Sequence, residues 1–213
     1  MTEPLDLGSV YPTESMITEL WVHRGQSIQS YANLEQSLCT LFSTLSGIDT
    51  ETAPIIFFKI VATRVRTTIL ENLLKHRHNG TYNTFWNSFR KLLFTLDETR
   101  NAIVHWNAVI DVNHKEESGE IVLMPPNMMN MSADTPAKRN SDMVEFTEQC
   151  DFLARLCTMF SLFISQPSSI PEDAQKTWRD IFLQSLTYPP QTPHPLLLTD
   201  STNARLLRSY LMR

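Results

Sequence analysis

The stretch Phe85-Trp86-Asn87-Ser88-Phe89-Arg90-Lys91-Leu92-Leu93-Phe94-Thr95-Leu96-Asp97-Glu98-Thr99-Arg100-Asn101-Ala102-Ile103-Val104-His105-Trp106 decides how this chain is read. Phe85, Phe89, Leu92, Leu93, Leu96, Ile103 and Val104 fall three, four or seven residues apart, with adjacent pairs at 92/93 and 103/104, the pattern of an amphipathic α-helix rather than of a strand. The spacing predicts a helix from about Thr81 to Ala108. In its last three turns Asp97, Asn101 and His105 are successive i, i+4 neighbours and form one polar stripe. Leu93, Leu96, Arg100 and Ile103 form a second ladder, so Arg100 lies on an otherwise apolar edge, where an unpaired guanidinium is costly to bury.

Upstream, the ladder Leu20, Ile28, Tyr31, Leu34, Leu38, Leu41 and Leu45, widened by Phe42, predicts a first helix from about Glu14 to Ser46, closed near Gly47. Glu35 sits beside that stripe. A second helix is expected after Asp49, with Pro54 in its first turn, continuing through Ile56, Ile60, Leu70, Leu73 and Leu74 to the stop at Asn79-Gly80. Downstream, Val109–Val112 and Glu120–Leu123 flank a polar, Gly-containing connection and predict a short β-hairpin. An irregular loop follows from Pro125 to Arg139, rich in Pro, Met and Asn. Asn140-Ser141-Asp142 then offers a cap and an acidic first turn for a helix carrying Val144, Phe152, Leu153, Leu156, Phe160 and Phe163. Pro171-Glu172-Asp173 begins a shorter helix through Trp178, Ile181, Phe182 and Leu186. The fold class expected is mainly α: an up-and-down bundle of four to five helices with a hairpin inserted after the motif helix.

The expected organisation is a loose lead-in over 1–13, one helical domain over 14–187 with the hairpin and loop at about 109–139, and a Pro-rich tail over 188–213 with a short basic helix from Asn203. At 213 residues the chain can bury a full core without a metal or disulfide staple. Cys39, Cys150 and Cys157 fall at apolar helical positions and read as reduced core residues. A net charge of −5 argues against diffuse binding to nucleic acid, so any RNA contact must come from a local patch. No charged start precedes an apolar segment, and no apolar run approaches the ~20 residues of a membrane span. The expectation is a cytoplasmic protein without membrane partners.

The end of the motif helix has chemistry available to it. A histidine exchanges protons near neutral pH, and an arginine grips phosphate oxygens in pairs and stabilises added negative charge. His105 could take the proton of an RNA 2′-hydroxyl while Arg100 holds the phosphate and Asn101 orients His105 or binds an oxygen. No metal or other cofactor is needed for this route. The residues that carry it, Arg100-Asn101-x3-His105 near the end of a helix, resemble the signature of the HEPN superfamily. The order of elements over about 14–187 is similar too: two long helices, the motif helix, an insertion, then further helices.

That resemblance implies a helical bundle dimerised through the motif helices, often a metal-independent ribonuclease of toxin-antitoxin or phage-defence systems, with an antitoxin or other regulatory protein as partner. It also implies an extra acidic or polar residue near the motif, for which Glu35 and then Glu71 are the candidates, with Asp97 in the stripe. Arg64 and Arg66, with Lys59 and Lys75, are candidates for an RNA-binding face, although such a set of charges is more often a solvated helix surface. The alternative is a catalytically inactive HEPN-like module for dimerisation and for protein or RNA binding. There Arg100 snorkels, His105 complements the helix dipole and Trp106 anchors packing. His76 and His78, two apart, make a poor metal pair. The cluster Met124, Met128, Met129 and Met131 suits either adaptable packing or a mobile loop. Signatures of NTPases, zinc proteases and α/β-hydrolases are missing from the sequence.

Overall fold

The first helix has the length its ladder predicts: α1 runs Glu14–Ser46 and ends where Gly47 takes φ 76°, but Ile28 of that ladder is exposed and Ser27 beside it is buried. A computed structural model of the chain describes residues 12–113, 118–126, 136–190 and 194–197. Expectations for most of the lead-in, for Met128, Met129 and Met131, and for a helix from Asn203 lie outside the described residues. The remaining α-helices and strands are α2 (Thr52–Phe57), α3 (Thr63–His78), α4 (Asn83–His105), β1 (Asn107–Asn113), β2 (Ser118–Met124), α5 (Asn140–Ser165) and α6 (Glu172–Leu183), with short 3-10 turns at Pro167–Ser169 and Pro195–Leu197. The protein is mainly α with one two-stranded antiparallel hairpin, and among the described residues no helix is long and apolar enough to cross a membrane.

The single second helix expected from the sequence is two. α2 closes at Phe57 and α3 opens at Thr63 after extended Ala62. The break follows from Arg66, whose Nε donates to the carbonyl of Ile60, where a continuous helix would place the amide of Arg64. The chain turns so that a buried guanidinium can use that oxygen.

The chain divides into two compact units, Met1–Tyr31 with Glu98–Glu148, and Ala32–Asp97 with Gln149–Arg213. The second unit is a helical bundle around an aromatic centre. Phe85, Phe160 and Phe182 meet with ring centroids 4.9 to 5.1 Å apart, and Trp178 stacks on Phe182 at 5.5 Å. These separations suit tilted and edge-on ring contacts, which add to plain burial. The Arg77 Nε donates to the carbonyl of Leu45, giving a free end of α1 a cationic partner at 3.1 Å. The Cys157 thiol points at the Ser37 carbonyl at 3.5 Å. All three cysteines are buried and free, as expected, and burial pushes the Cys157 thiol up to about 12.

The first unit joins the start of α1, the end of α4, the hairpin and the start of α5. Tyr31 stacks with Phe146 at 6.3 Å, and the Ser27 hydroxyl donates to the Met143 carbonyl at 3.1 Å. The hairpin pairs Val109 with Val122 and Ile110 with Ile121. Asp111 faces Glu120 directly, a like-charge pair that would oppose pairing. Arg139 answers it, its Nε donating to Glu120 at 2.9 Å and its Nη2 lying 3.6 Å from Asp111. Lys138 exchanges two backbone hydrogen bonds with Leu123, and the Arg139 amide donates to the Asp142 carboxylate at the start of α5.

Candidate functional site

The motif occupies the last turns of α4, inside the first unit. Ala102 and Ile103 are buried and hold this end of the helix to its unit, which leaves Asn101 and His105 exposed on another face. That is the division the apolar ladder and the polar stripe call for. The helix stops at His105 because the chain enters β1 two residues later, with Asn107 opposite Met124. The strand therefore begins before the point at which the ladder alone would end the helix.

Arg100 is half-buried. Its guanidinium carbon lies 5.7 Å from the centre of the Tyr31 ring, and its Nη1 donates to Asn101 Oδ1 at 3.1 Å. Among the described residues no carboxylate lies within ion-pair distance of it. The cost of a cation on an apolar edge is thus met by an aromatic face and one amide oxygen, while further N–H donors remain. A guanidinium held in this way can still take a phosphate. His105 is exposed in the last turn of the helix, and among the described residues no hydrogen bond engages its ring.

The other residues selected from the sequence lie in the second unit. Glu35 pairs with Arg66, whose guanidinium also sits 5.2 and 5.4 Å from the rings of Phe57 and Phe58. Glu71 accepts from Arg90 and from Lys75, and these partners hold its carboxyl below the usual range, the hydrogen bond from Lys75 first. Asp97 accepts a hydrogen bond from the Thr63 hydroxyl at 3.0 Å. Arg64 is exposed and lies 5.3 Å from the centre of the Phe94 ring. Arg66 is buried, so of the two arginines it is Arg64 that faces solvent. His76 is exposed, and His78 packs edge-on against Tyr82 at 5.3 Å.

Two residues join the motif that its own spacing does not indicate. Tyr31 belongs to the α1 ladder, but nothing in the sequence marks its ring as the seat of Arg100. Arg24 donates from Nη2 to the carbonyls of Val104 and Trp106, at 2.8 and 3.3 Å, on either side of His105. It is 80 residues away along the chain. Comparison with family models, with curated proteins and with solved structures found no match.

Proposed function

We propose that the protein is a metal-independent endoribonuclease of HEPN type. The observation that carries this reading is the end of α4, where Arg100, free of any carboxylate among the described residues, is held by Tyr31 and Asn101 five residues before an exposed His105. In this mechanism Arg100 grips the scissile phosphate and His105 takes the proton of the adjacent 2′-hydroxyl. The 2′-oxygen forms a bond to phosphorus, the bond from phosphorus to the 5′-oxygen breaks, and that oxygen leaves with the proton that His105 returns. The products are a 2′,3′-cyclic phosphate and a 5′-hydroxyl. Asn101 orients the guanidinium through its amide oxygen, and DNA, which lacks the nucleophile, is not cut.

The reading extends to a cytoplasmic homodimer joined through the motif helix, so that two copies of Arg100 and His105 surround one substrate. Its place is then a toxin-antitoxin or phage-defence system, with a neutralising protein partner. Arg64, exposed on the ring of Phe94, is the stronger of the two arginines for added contact with RNA.

The test is incubation of purified protein with mixed RNA in EDTA, comparing wild type with His105→Ala and identifying the product ends. Cleavage by wild type alone, leaving cyclic phosphate, is the expected result. Equal cleavage by both proteins overturns the assignment of His105. If neither protein cuts RNA and a partner is still bound by the His105→Ala protein, the motif serves binding and dimerisation instead.

A further inference from the structure

We infer that Arg24 is a positioning residue for His105. This inference rests on the ribonuclease reading above for its catalytic part, and on geometry alone for its structural part.

A helix leaves its last four carbonyls without amide partners, and here the chain must turn at once from α4 into β1. Arg24 closes that end. Its Nη2 carries two hydrogens, and the two carbonyls it meets, Val104 and Trp106, bracket His105 at 2.8 and 3.3 Å. One nitrogen thus ties down the peptide unit before the histidine and the one after Trp106, while the unit between them is held by the Trp106 amide, which donates to Ala102 at 2.9 Å. Fixing both neighbouring carbonyls fixes the backbone from which the imidazole projects.

Arg24 is itself held. It leaves α1 in the first unit, and its guanidinium carbon lies 5.1 Å from the centre of the Trp21 ring one turn earlier. Among the described residues no carboxylate pairs with it. Its positive charge is therefore spent on the negative end of the α4 dipole. A stacked, planar guanidinium suits this task better than an ammonium on a flexible stem, which stays strongly hydrated.

Two substitutions separate the donors from the packing. Arg24→Met keeps an apolar stem against Trp21 and removes every N–H, whereas Trp21→Ala removes the stack and leaves the donors. Arg24→Met is expected to lower kcat for RNA cleavage about 100-fold, the scale of a misplaced catalytic group, with KM unchanged. Exchange of the Trp106 amide is expected to speed up about tenfold while the thermal midpoint stays near that of wild type, the mark of a local rather than global opening. Arg24→Lys recovers part of kcat, and Trp21→Ala loses far less than Arg24→Met. The inference is overturned by wild-type kcat in Arg24→Met, by an equal loss in Trp21→Ala, or by unchanged Trp106 exchange. If wild type cuts no RNA, the ribonuclease reading and the catalytic part of this inference fall together; the exchange measurement then judges the cap on its own.

Discussion

Replacing Glu35 by alanine would leave the Arg66 guanidinium in the bundle without its counter-ion. The Arg66 side chain is only 9% exposed and that of Glu35 25%, so water can reach little of the orphaned charge. Removing one partner of a buried pair costs about 3 to 5 kcal/mol. Arg66 keeps the Ile60 carbonyl and the rings of Phe57 and Phe58, which places the expected loss at the lower end, about 3 kcal/mol. For a chain of this length each kcal/mol moves the thermal midpoint by roughly 2–4 °C, so a fall of ~6–12 °C is expected. Urea denaturation gives the free energy and calorimetry the midpoint. The double variant Glu35→Ala, Arg66→Met should regain at least half of the loss, because an apolar stem no longer needs a counter-ion. A loss below about 1 kcal/mol, or a double variant no more stable than the single one, refutes the account of Arg66 as a buried charge that Glu35 neutralises.

Three further outcomes are expected. Burial holds both His78 and His194 below the usual imidazole range, so as pH falls through about 6.5 the unfolded chain takes up protons first and the fold loses stability. The urea midpoint should therefore drop between about pH 7.5 and 5.5, and His194→Asn, which keeps an acceptor for the Leu196 amide, should flatten the slope; an unchanged slope counts against His194. Phe182→Ala, which empties the centre of the aromatic cluster, should cost about 3–5 kcal/mol in denaturant titration, and a loss under about 1 kcal/mol would mean that the cluster packs otherwise. Because burial raises all three thiols, a chromogenic disulfide reagent near neutral pH should label none in the folded protein and all three in denaturant. A fast-reacting thiol in the folded protein would contradict the buried positions of Cys39, Cys150 and Cys157.

Much of the fold was legible because its signals are local. The α1 ladder and the glycine able to take positive φ at 47 lie within one segment, and so do the strand pattern of Val109–Val112 and the Asn140-Ser141-Asp142 start of α5. The break between α2 and α3 was not legible. Ile55 to Val61 is apolar but for Lys59 and has neither Gly nor Pro, and the carbonyl of Ile60 is taken up there by a side chain six residues further on. The site divides in the same way. Arg100, Asn101 and His105 can be read from spacing on one helix, whereas the ring beneath Arg100 and the guanidinium that closes the helix come from α1, far off in sequence. Helical phase put Glu35 beside an apolar stripe, but phase carries no information on which cation it meets.

The hairpin carries a consequence for its evolution. Arg139 and the exchange between Leu123 and Lys138 come from the segment that leads into α5, so the alignment of Asp111 with Glu120 is checked from outside the two strands. Sliding one strand by a single residue would turn one of the two acids to the opposite side of the sheet, away from Arg139. Asp111, Glu120 and Arg139 are thereby tied together, so that a change of charge at one of them calls for a matching change at another.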